Sequence, residues 1–226
     1  MFEENHKLLG KAHSDLMRSQ VFLVVGAGGL GGFISNALVR LGSSHLILVD
    51  DDCFDESNLN RQLFSNLKAI GKPKVNVIKE ALEKINPNLH IDTFNAKVET
   101  LFDQPIIKKA TVVFDAVDSV KTRLALEVFA SEQNVPLVHG AIGGWYGQVG
   151  IIEPGTFLLK SLYGTKEKGV EKTLGSPTFT PPIIANLMVS ECMKYLHQDP
   201  DVLVNKLLFL DLKTHTYHIM FDQTKT

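Results

Sequence analysis

Short apolar runs alternate with amphipathic stretches along the first 140 residues of the chain. Strand-like runs occupy residues 21–25, 46–49, 90–94, 111–114 and 137–139. Apolar positions at helical spacing lie between them, in residues 30–41, 74–85 and 120–132. Because alternating strands and helices build a parallel sheet with helices on both faces, this pattern predicts a doubly wound, Rossmann-like α/β fold.

Further elements extend this fold at both ends. Apolar positions in residues 3–18 predict one amphipathic N-terminal helix. The glycine-rich stretch 140–150 predicts a change of strand direction, so the C-terminal strands are expected to be antiparallel to the rest. The elements expected there are a strand at 148–152, a mobile crossover loop at about 154–179, a helix at 182–196 and strands at 207–211 and 217–221.

The turn after the first strand reads Gly-Ala-Gly-Gly-Leu-Gly over residues 26–31. Residues without a Cβ let the backbone approach a phosphate closely, so Gly26, Gly28 and Gly29 are candidate nucleotide contacts. The following helix directs its free N–H groups and positive dipole end towards the same anion. Asp50 ends the second strand, where a carboxylate is placed to accept hydrogen bonds from a ribose. The arrangement predicts an adenine-nucleotide site.

A polar block, Ser-Asn-Leu-Asn-Arg-Gln over residues 57–62, follows the second strand. A hydride-transfer enzyme of this topology needs no such block, whereas a nucleoside triphosphate needs cations. Arg61 offers a planar, permanently charged guanidinium that matches phosphate oxygens. Lys74 stands at the start of a helix, where a lone lysine is usually only solvated. Because Arg61 lies thirteen residues upstream, we favour a joint phosphate site for the two.

Asp118 lies just past the end of a buried strand, where ligands collect in open α/β sheets. Two interpretations remain open at this point. The carboxylate could hold Mg²⁺ between phosphates, since hard cations take oxygen ligands. It could instead cap the helix that begins near Val120, which is a favoured role of aspartate. Asp115 competes with it as a metal ligand, or turns towards the core.

Composition narrows the class of protein. The 226 residues carry a formal net charge of −2, which does not favour binding to nucleic acid or to an anionic membrane. The polar N-terminus predicts no signal peptide and no apolar run is long enough to span a bilayer, so we expect a cytoplasmic protein. Cys53 and Cys192 form neither a disulfide framework nor a zinc-binding pair. The histidines show no metal constellation along the sequence.

Taken together, these motifs resemble the ThiF/MoeB/HesA family, bacterial relatives of the ubiquitin-activating enzymes. The resemblance rests on the glycine turn, Asp50, the 57–62 block, Gly-Lys-Pro-Lys at 71–74 and Asp-Ala-Val-Asp at 115–118. It covers residues 10–221 and implies one adenylation domain over residues 1–226. Its expected parts are an N-terminal helix (1–20), a nucleotide-binding core (21–140) and a carrier-binding and dimer region (141–226).

The resemblance implies ATP-dependent, Mg²⁺-dependent adenylation of the C-terminal Gly-Gly carboxylate of a ubiquitin-like sulfur carrier, with release of pyrophosphate. Such carriers serve the synthesis of thiamine or of the molybdenum or tungsten cofactor. Asp50 would then bind the ribose, Arg61 and Lys74 the phosphates, and Asp118 the magnesium. The nucleotide-binding set implied by the resemblance also includes Ser57, Asn58 and Asn60. The family's homodimer is expected as well.

The chain also departs from the family pattern. Many relatives hold a structural zinc with two Cys-x-x-Cys pairs, and none is present here, so no structural zinc is expected. Residues 154–179 contain no cysteine that could form a thioester. Three other functions remain open: a tRNA threonylcarbamoyladenosine dehydratase, an NAD-dependent oxidoreductase and a non-catalytic partner subunit.

Overall fold

The computed structural model describes residues 3–164 and 174–222, without the side chains of residues 221 and 222. Eight strands form one sheet in the order β3-β2-β1-β4-β5-β6-β7-β8. Their bounds are β1 Phe22–Val25, β2 His45–Val49, β3 His90–Phe94, β4 Val112–Asp115, β5 Leu137–Gly143, β6 Tyr146–Ile152, β7 Lys206–Asp211 and β8 Thr216–Asp222. The first five strands pair in parallel and the last three pairings are antiparallel. The predicted fold class is confirmed.

Helices cover both faces of this sheet. Those of the described residues are α1 Glu3–Leu9, α2 His13–Ser19, α3 Gly31–Arg40, α4 Lys74–Glu83, α5 Val120–Glu132, α6 Leu158–Tyr163 and α7 Thr180–Leu196. One apolar core contains buried residues of α3, α4 and α7, and the other contains those of α5 and α6. Strands between two such layers are buried on both sides, which explains the apolar runs of β1, β2 and β4.

The predicted single N-terminal helix is wrong in one respect. Gly10 has φ +81°, a conformation that interrupts a right-handed helix, so the segment forms α1 and α2 instead of one continuous helix. Met17 in α2 is buried in the core, whereas no described residue of α1 is buried. The apolar spacing predicted helical structure correctly and missed the break because it does not register backbone conformation.

The glycine-rich stretch 140–150 does reverse the chain, as expected, but most of it belongs to the hairpin of β5 and β6. Two of its glycines lie in the strands and pack closely against side chains of α7. A Cβ on Gly140 would lie 2.2 Å from Met188 Sδ, and one on Gly147 would lie 2.1 Å from the Cδ1 of Ile184. Their small size therefore lets α7 pack directly on the sheet. The dimer role expected for this stretch stays a prediction.

The predicted crossover loop at 154–179 contains a short helix, α6, which the sequence analysis missed. Glu127 of α5 is buried and accepts hydrogen bonds from the backbone N–H groups of Leu159 (2.6 Å) and Lys160 (2.9 Å). A side chain from another element thus caps the free N–H groups at the start of α6. Residues 165–173, also assigned to that loop, lie outside the described residues. No helix in the described part of the chain is long and apolar enough to cross a membrane.

Candidate active site

The glycine turn connects β1 to α3 as the sequence predicts. Gly26 has φ +94°, and a Cβ on it would lie 2.4 Å from the carbonyl oxygen of Ala116 in the loop after β4. A Cβ on Gly31 would lie only 1.7 Å from the carbonyl oxygen of Gly26, so the turn folds back tightly on itself. Glycine is therefore required at both positions by the backbone contacts that shape the turn.

A cavity of about 930 Å³ opens beside this turn, at the carboxyl ends of β1, β2 and β4. Ligands of open α/β sheets bind at the carboxyl ends of the strands, at the point where the strand order reverses. Here β2 and β3 lie on one side of β1, and β4 and β5 lie on the other side. Eight of the predicted site residues line the cavity: Gly26, Gly28, Gly29, Asp50, Asn58, Arg61, Lys74 and Asp118. Segments distant in sequence thus meet at one wall, and two predicted residues, Ser57 and Asn60, do not line it.

Asp50 joins the end of β2 to the glycine turn. Its carboxylate accepts hydrogen bonds from the backbone N–H groups of Ala27 (2.6 Å) and Asp52 (2.8 Å). Burial raises the pKa of Asp50 above its ordinary value, while nearby Lys74 and the two backbone donors oppose that rise. A carboxylate held in this way keeps acceptor capacity at a fixed position on the cavity wall.

Lys74 begins α4 and is buried, with only 5 % of its surface exposed. Its Nζ lies 2.7 Å from Asp52 Oδ2 and 3.9 Å from Asp50 Oδ1. The general interpretation of such a residue as a solvated helix-end lysine is wrong here. The ammonium group of Lys74 therefore lines the cavity, where it pairs with Asp52 and lies close to Asp50. A cation in this position can attract an anion that enters the cavity.

The 57–62 block folds into a 3₁₀ turn that holds Arg61. Asp55 and Asn58 form a capping box at the start of this turn, with reciprocal side-chain to backbone hydrogen bonds. Arg61 Nη1 donates to the backbone carbonyl of Ser57 (2.8 Å) and to Asn60 Oδ1 (2.9 Å). Ser57 and Asn60 therefore orient the guanidinium from behind the cavity wall, and their direct contact with a nucleotide stays a prediction.

Asp118 is exposed on the cavity wall, in the loop between β4 and α5. The alternative interpretation as a helix cap is wrong, because Ser119 is the N-cap and its side chain accepts from the backbone N–H of Thr122. Among the described residues, none hydrogen-bonds the Asp118 carboxylate. The carboxylate is accordingly available as an oxygen ligand for a hard cation such as Mg²⁺.

Asp115 does not line the cavity and lies fully buried in the core beside it. Its Oδ2 accepts from Arg123 Nε (2.9 Å) and lies 2.7 Å from His139 Nδ1. Burial favours a higher pKa, but Arg123 and the His139 hydrogen bond outweigh it and hold the pKa of Asp115 below its ordinary value. Arg123 Nη2 also donates to the carbonyl of Val117 (2.7 Å), next to Asp118. The pair thus positions the loop that carries Asp118.

Two residues of the site were missed by the sequence analysis. Asp52, the closest ion-pair partner of Lys74, is one of three consecutive aspartates, and composition does not show which of them reaches the lysine. Gln62 is buried on the cavity wall and its Oε1 has no hydrogen-bond partner among the described residues. A buried acceptor without a partner is rare in a folded protein, which marks Gln62 as an unusual residue of this wall. The sequence signal that could have identified Gln62 is its position directly after Arg61.

Several known proteins are similar to this chain in sequence or in fold. The chain is 32% identical over 199 residues to the molybdopterin-synthase adenylyltransferase of Haemophilus influenzae, with 86% of this chain and 82% of the relative covered. It is 31% identical over 206 residues to the SAMP-activating enzyme E1 of Haloferax volcanii, with 89% and 76% covered. The solved structure of E. coli MccB with ATP has the same fold, at a TM-score of 0.80 and 19% identity. That likeness covers 97% of this chain and 70% of MccB.

The sequence profile described as "ThiF family" matches residues 3–225, nearly the whole chain. The two relatives are also covered over most of their own length, at 82% and 76%. The chain therefore belongs to the ThiF family and is an enzyme of the nucleotidyltransferase class.

Proposed function

We propose that this protein adenylates the C-terminal Gly-Gly carboxylate of a ubiquitin-like sulfur carrier protein, with ATP as the nucleotide and pyrophosphate as the leaving group. The observation that carries the proposal is the single cavity wall shared by the glycine turn, Asp50, Arg61, Lys74 and Asp118. A dehydrogenase would use the turn and the acid but would leave the two cations without a task. The names of the two relatives, a SAMP-activating enzyme E1 and a molybdopterin-synthase adenylyltransferase, support an activating or adenylating reaction on a protein.

In this proposal the carrier's carboxylate attacks the α-phosphorus of ATP, the bond to the β,γ-pyrophosphate breaks, and an acyl-adenylate forms. Such a step needs alignment and neutralisation of developing charge more than covalent help from the protein. Asp50 would orient the ribose and the N-terminus of α3 would face the phosphates. Arg61 and Lys74 would stabilise the charge that accumulates on the departing pyrophosphate.

Asp118 is the residue that would hold Mg²⁺. Its exposed carboxylate on the cavity wall is the hard oxygen donor that magnesium prefers, and Mg²⁺ commonly binds through one or two carboxylates together with substrate phosphates. When bound, such an ion would supply positive charge that offsets the negative charge of the phosphates. Arg123 would contribute from outside the cavity, since its hydrogen bond to Val117 keeps the Asp118 loop in place.

The carrier and the pathway belong to the same proposal. We expect a small ubiquitin-like protein whose last two residues are glycines, as the family resemblance implies. The pathway proposed for it is thiamine synthesis or molybdenum or tungsten cofactor synthesis. We also expect a homodimer in the cytoplasm, as the family resemblance implies.

Carrier-dependent exchange of pyrophosphate into ATP tests the proposal directly. We expect exchange with a carrier ending in Gly-Gly and none with the same carrier lacking these two glycines. Arg61→Ala and Asp118→Ala should each lower the exchange rate on the order of 10²-fold or more, because charge stabilisation of the transition state is lost. Circular dichroism would show that both variants keep the fold.

Matched controls are available on the surface of the same molecule. Arg40→Ala and Lys72→Ala remove exposed cations that do not line the cavity, and both should exchange at the wild-type rate. Near-normal exchange by Arg61→Ala or Asp118→Ala would contradict the role of that residue.

Failure with every Gly-Gly carrier, together with NAD binding, would favour the oxidoreductase, whereas ATP turnover that requires threonylcarbamoyladenosine in tRNA would favour the dehydratase. Absence of ATP binding would favour a partner subunit without catalysis.

A further inference from the structure

Two histidines and an aspartate meet at the start of β2 and β3, at the opposite end of these strands from the cavity. His45 is the first residue of β2 and His90 is the first residue of β3. The two are direct partners in the parallel register of the strands. Asp92 follows His90 by two residues, so its side chain lies on the same face of the sheet. No metal constellation was expected among the histidines from the sequence, in which 45 residues separate this pair.

The polar atoms of the three side chains converge. Nε2 of His45 lies 3.0 Å and Nε2 of His90 lies 3.1 Å from the same atom, Asp92 Oδ2. All three atoms lie within 4.8 Å of one another. Nitrogen and oxygen ligands of zinc at bonds of about 2.0–2.1 Å are about 2.9–3.4 Å apart when adjacent. The two histidine–aspartate distances thus fall within the range between neighbouring ligands of a single ion, and the two histidine ligand atoms lie within 4.8 Å of each other.

The surroundings of the cluster suit a bound ion. The side chains of His45 and Asp92 are 22% and 28% exposed, while that of His90 is 66% exposed. Two ligands are therefore held in the sheet and the third borders the solvent from which a metal would arrive. The strand register holds all three on one face without any ordering of a loop, which lowers the conformational cost of assembling the site.

We propose that His45, His90 and Asp92 form a binding site for a divalent transition metal of the zinc class. Two imidazoles and one carboxylate are the ligand set of such ions, whereas Mg²⁺ and Ca²⁺ prefer oxygen ligands alone. Three protein ligands leave a further coordination position for water. The ion would join the edge strand β3 to β2. This site is separate from the magnesium position proposed at Asp118 and from the cysteine-based zinc site that the chain lacks.

Direct titration tests the proposal. Protein without a histidine tag, first stripped with a chelator, would be titrated with Zn²⁺ by calorimetry and with Co²⁺ by visible absorption. We expect one equivalent to bind to the wild type. His45→Gln and His90→Gln should each weaken binding by more than about 100-fold, beyond the 10–100-fold effect of losing an outer-shell partner. His218→Gln, which changes an exposed histidine on β8, is the matched control and should bind like the wild type.

Thermal unfolding gives a second readout that does not depend on enzyme activity. Zn²⁺ should raise the unfolding temperature of the wild type and of His218→Gln in a manner reversed by EDTA, and should leave that of His90→Gln unchanged. His90 is largely exposed, so its replacement is not expected to prevent folding, and circular dichroism would verify this. Because the site lies away from the cavity, failure of the exchange assay would leave this proposal intact.

Three outcomes would overturn the metal site. One is the absence of Zn²⁺ and Co²⁺ binding to wild-type protein, which would identify the cluster as a hydrogen-bonded His–Asp–His group only. Another is equal binding to the wild type and to both histidine variants. The third is binding that is lost in Cys53→Ser and retained in His45→Gln and His90→Gln, since the exposed thiol of Cys53 would then be the ligand.

Discussion

Gly26 shapes the turn beside the cavity because it has a hydrogen atom where every other residue type has a side chain. Gly26→Ala introduces a Cβ at φ +94° and 2.4 Å from the Ala116 carbonyl oxygen. A left-handed backbone costs an alanine about 1–2 kcal/mol and overpacking about 1–3 kcal/mol more. We therefore expect the free energy of unfolding to fall by about 2–5 kcal/mol, measured by urea denaturation.

Gly71→Ala is the control for this prediction. Gly71 has a comparable φ of +79°, but nothing lies within 4 Å of the Cβ position. It should lose only the conformational part, about 1–2 kcal/mol. Equal losses of stability in the two variants would show that the contact with Ala116 has no effect.

At the scale of single residues, the sequence indicated residues that line the cavity but not their contacts. Asp50 could be named from the end of a strand after the glycine turn, Arg61 from its polar block and Lys74 from the start of a helix. Their hydrogen-bond partners could not be named. Whether Asp52 or Asp51 pairs with Lys74 depends on how the chain turns after β2, and the apolar pattern carries no information on such a turn.

At the scale of elements, one buried polar network joins two helices to the sheet. Asp115 of β4 contacts Arg123 of α5 and His139 of β5. Arg123 donates to the hydroxyl of Tyr163 in α6 (2.8 Å), and Gln148 of β6 lies 3.0 Å from His139 Nε2. If His139 donates from Nδ1 to Asp115 and accepts at Nε2 from the Gln148 amide, both ring nitrogens are satisfied with the imidazole neutral.

This network should make stability depend on pH. Burial is the main cause that lowers the pKa of His139 below its ordinary 6.5, while Asp115 opposes it. The unfolded chain then binds a proton more readily than the folded chain, so stability should decline as the pH falls below about 6.5. One such group contributes at most about 1.4 kcal/mol per pH unit. Urea unfolding between pH 7.5 and 5.5 measures the slope.

His139→Asn isolates the contribution of this histidine. The amide nitrogen of asparagine can still donate to Asp115, but it does not titrate, so the variant should show a shallower decline than the wild type. His13, whose pKa is also lowered by burial, remains in both proteins and cancels from the comparison. His218→Gln should retain the wild-type slope. Identical slopes for the wild type and His139→Asn would show that His139 takes up no proton on unfolding in this range.

The elements themselves divide into those that local pattern determines and those that tertiary contacts determine. β1, β2, β4 and α5 fall close to their predicted bounds because continuous apolar runs and helical spacing are local signals. The break at Gly10 and the helix α6 were missed. The first depends on a positive φ and the second on Glu127, which lies more than thirty residues before the N–H groups that it caps.

At the scale of the whole molecule, the cavity is lined both by the carboxyl ends of parallel strands and by residues much further along the chain. Its floor comes from β1, β2 and β4 of the parallel half, whereas Ile142, Gly175 and Ser176 belong to the region beyond β4 and α5. Asn60 Nδ2 also donates to the carbonyl of Ser176 (3.1 Å), which ties the Arg61 turn to that region. A bound nucleotide would therefore contact several segments of the domain. Its binding should raise the free energy of global unfolding.

ATP with Mg²⁺ at 100 times its dissociation constant should stabilise the fold by about 2.7 kcal/mol. For a chain of this size that corresponds to about 5–11 °C in unfolding temperature, measured by differential scanning fluorimetry. AMP shares the adenosine and the α-phosphate but lacks the phosphates assigned to Arg61 and Lys74. It should therefore give a smaller shift than ATP at the same concentration, and NAD should give little or none.

Lys74→Met identifies which charge produces the difference between ATP and AMP. The change removes the ion pair with Asp52, whose side chain is 67% exposed, and leaves the buried carboxylate of Asp50 with its two backbone N–H donors. The variant should respond to AMP as the wild type does and lose most of the additional shift with ATP, whereas Lys72→Met should retain it. A full ATP shift in Lys74→Met would mean that the lysine serves the acids of β2 and not the nucleotide. If NAD then matched ATP in the wild type, the cavity would be that of an oxidoreductase.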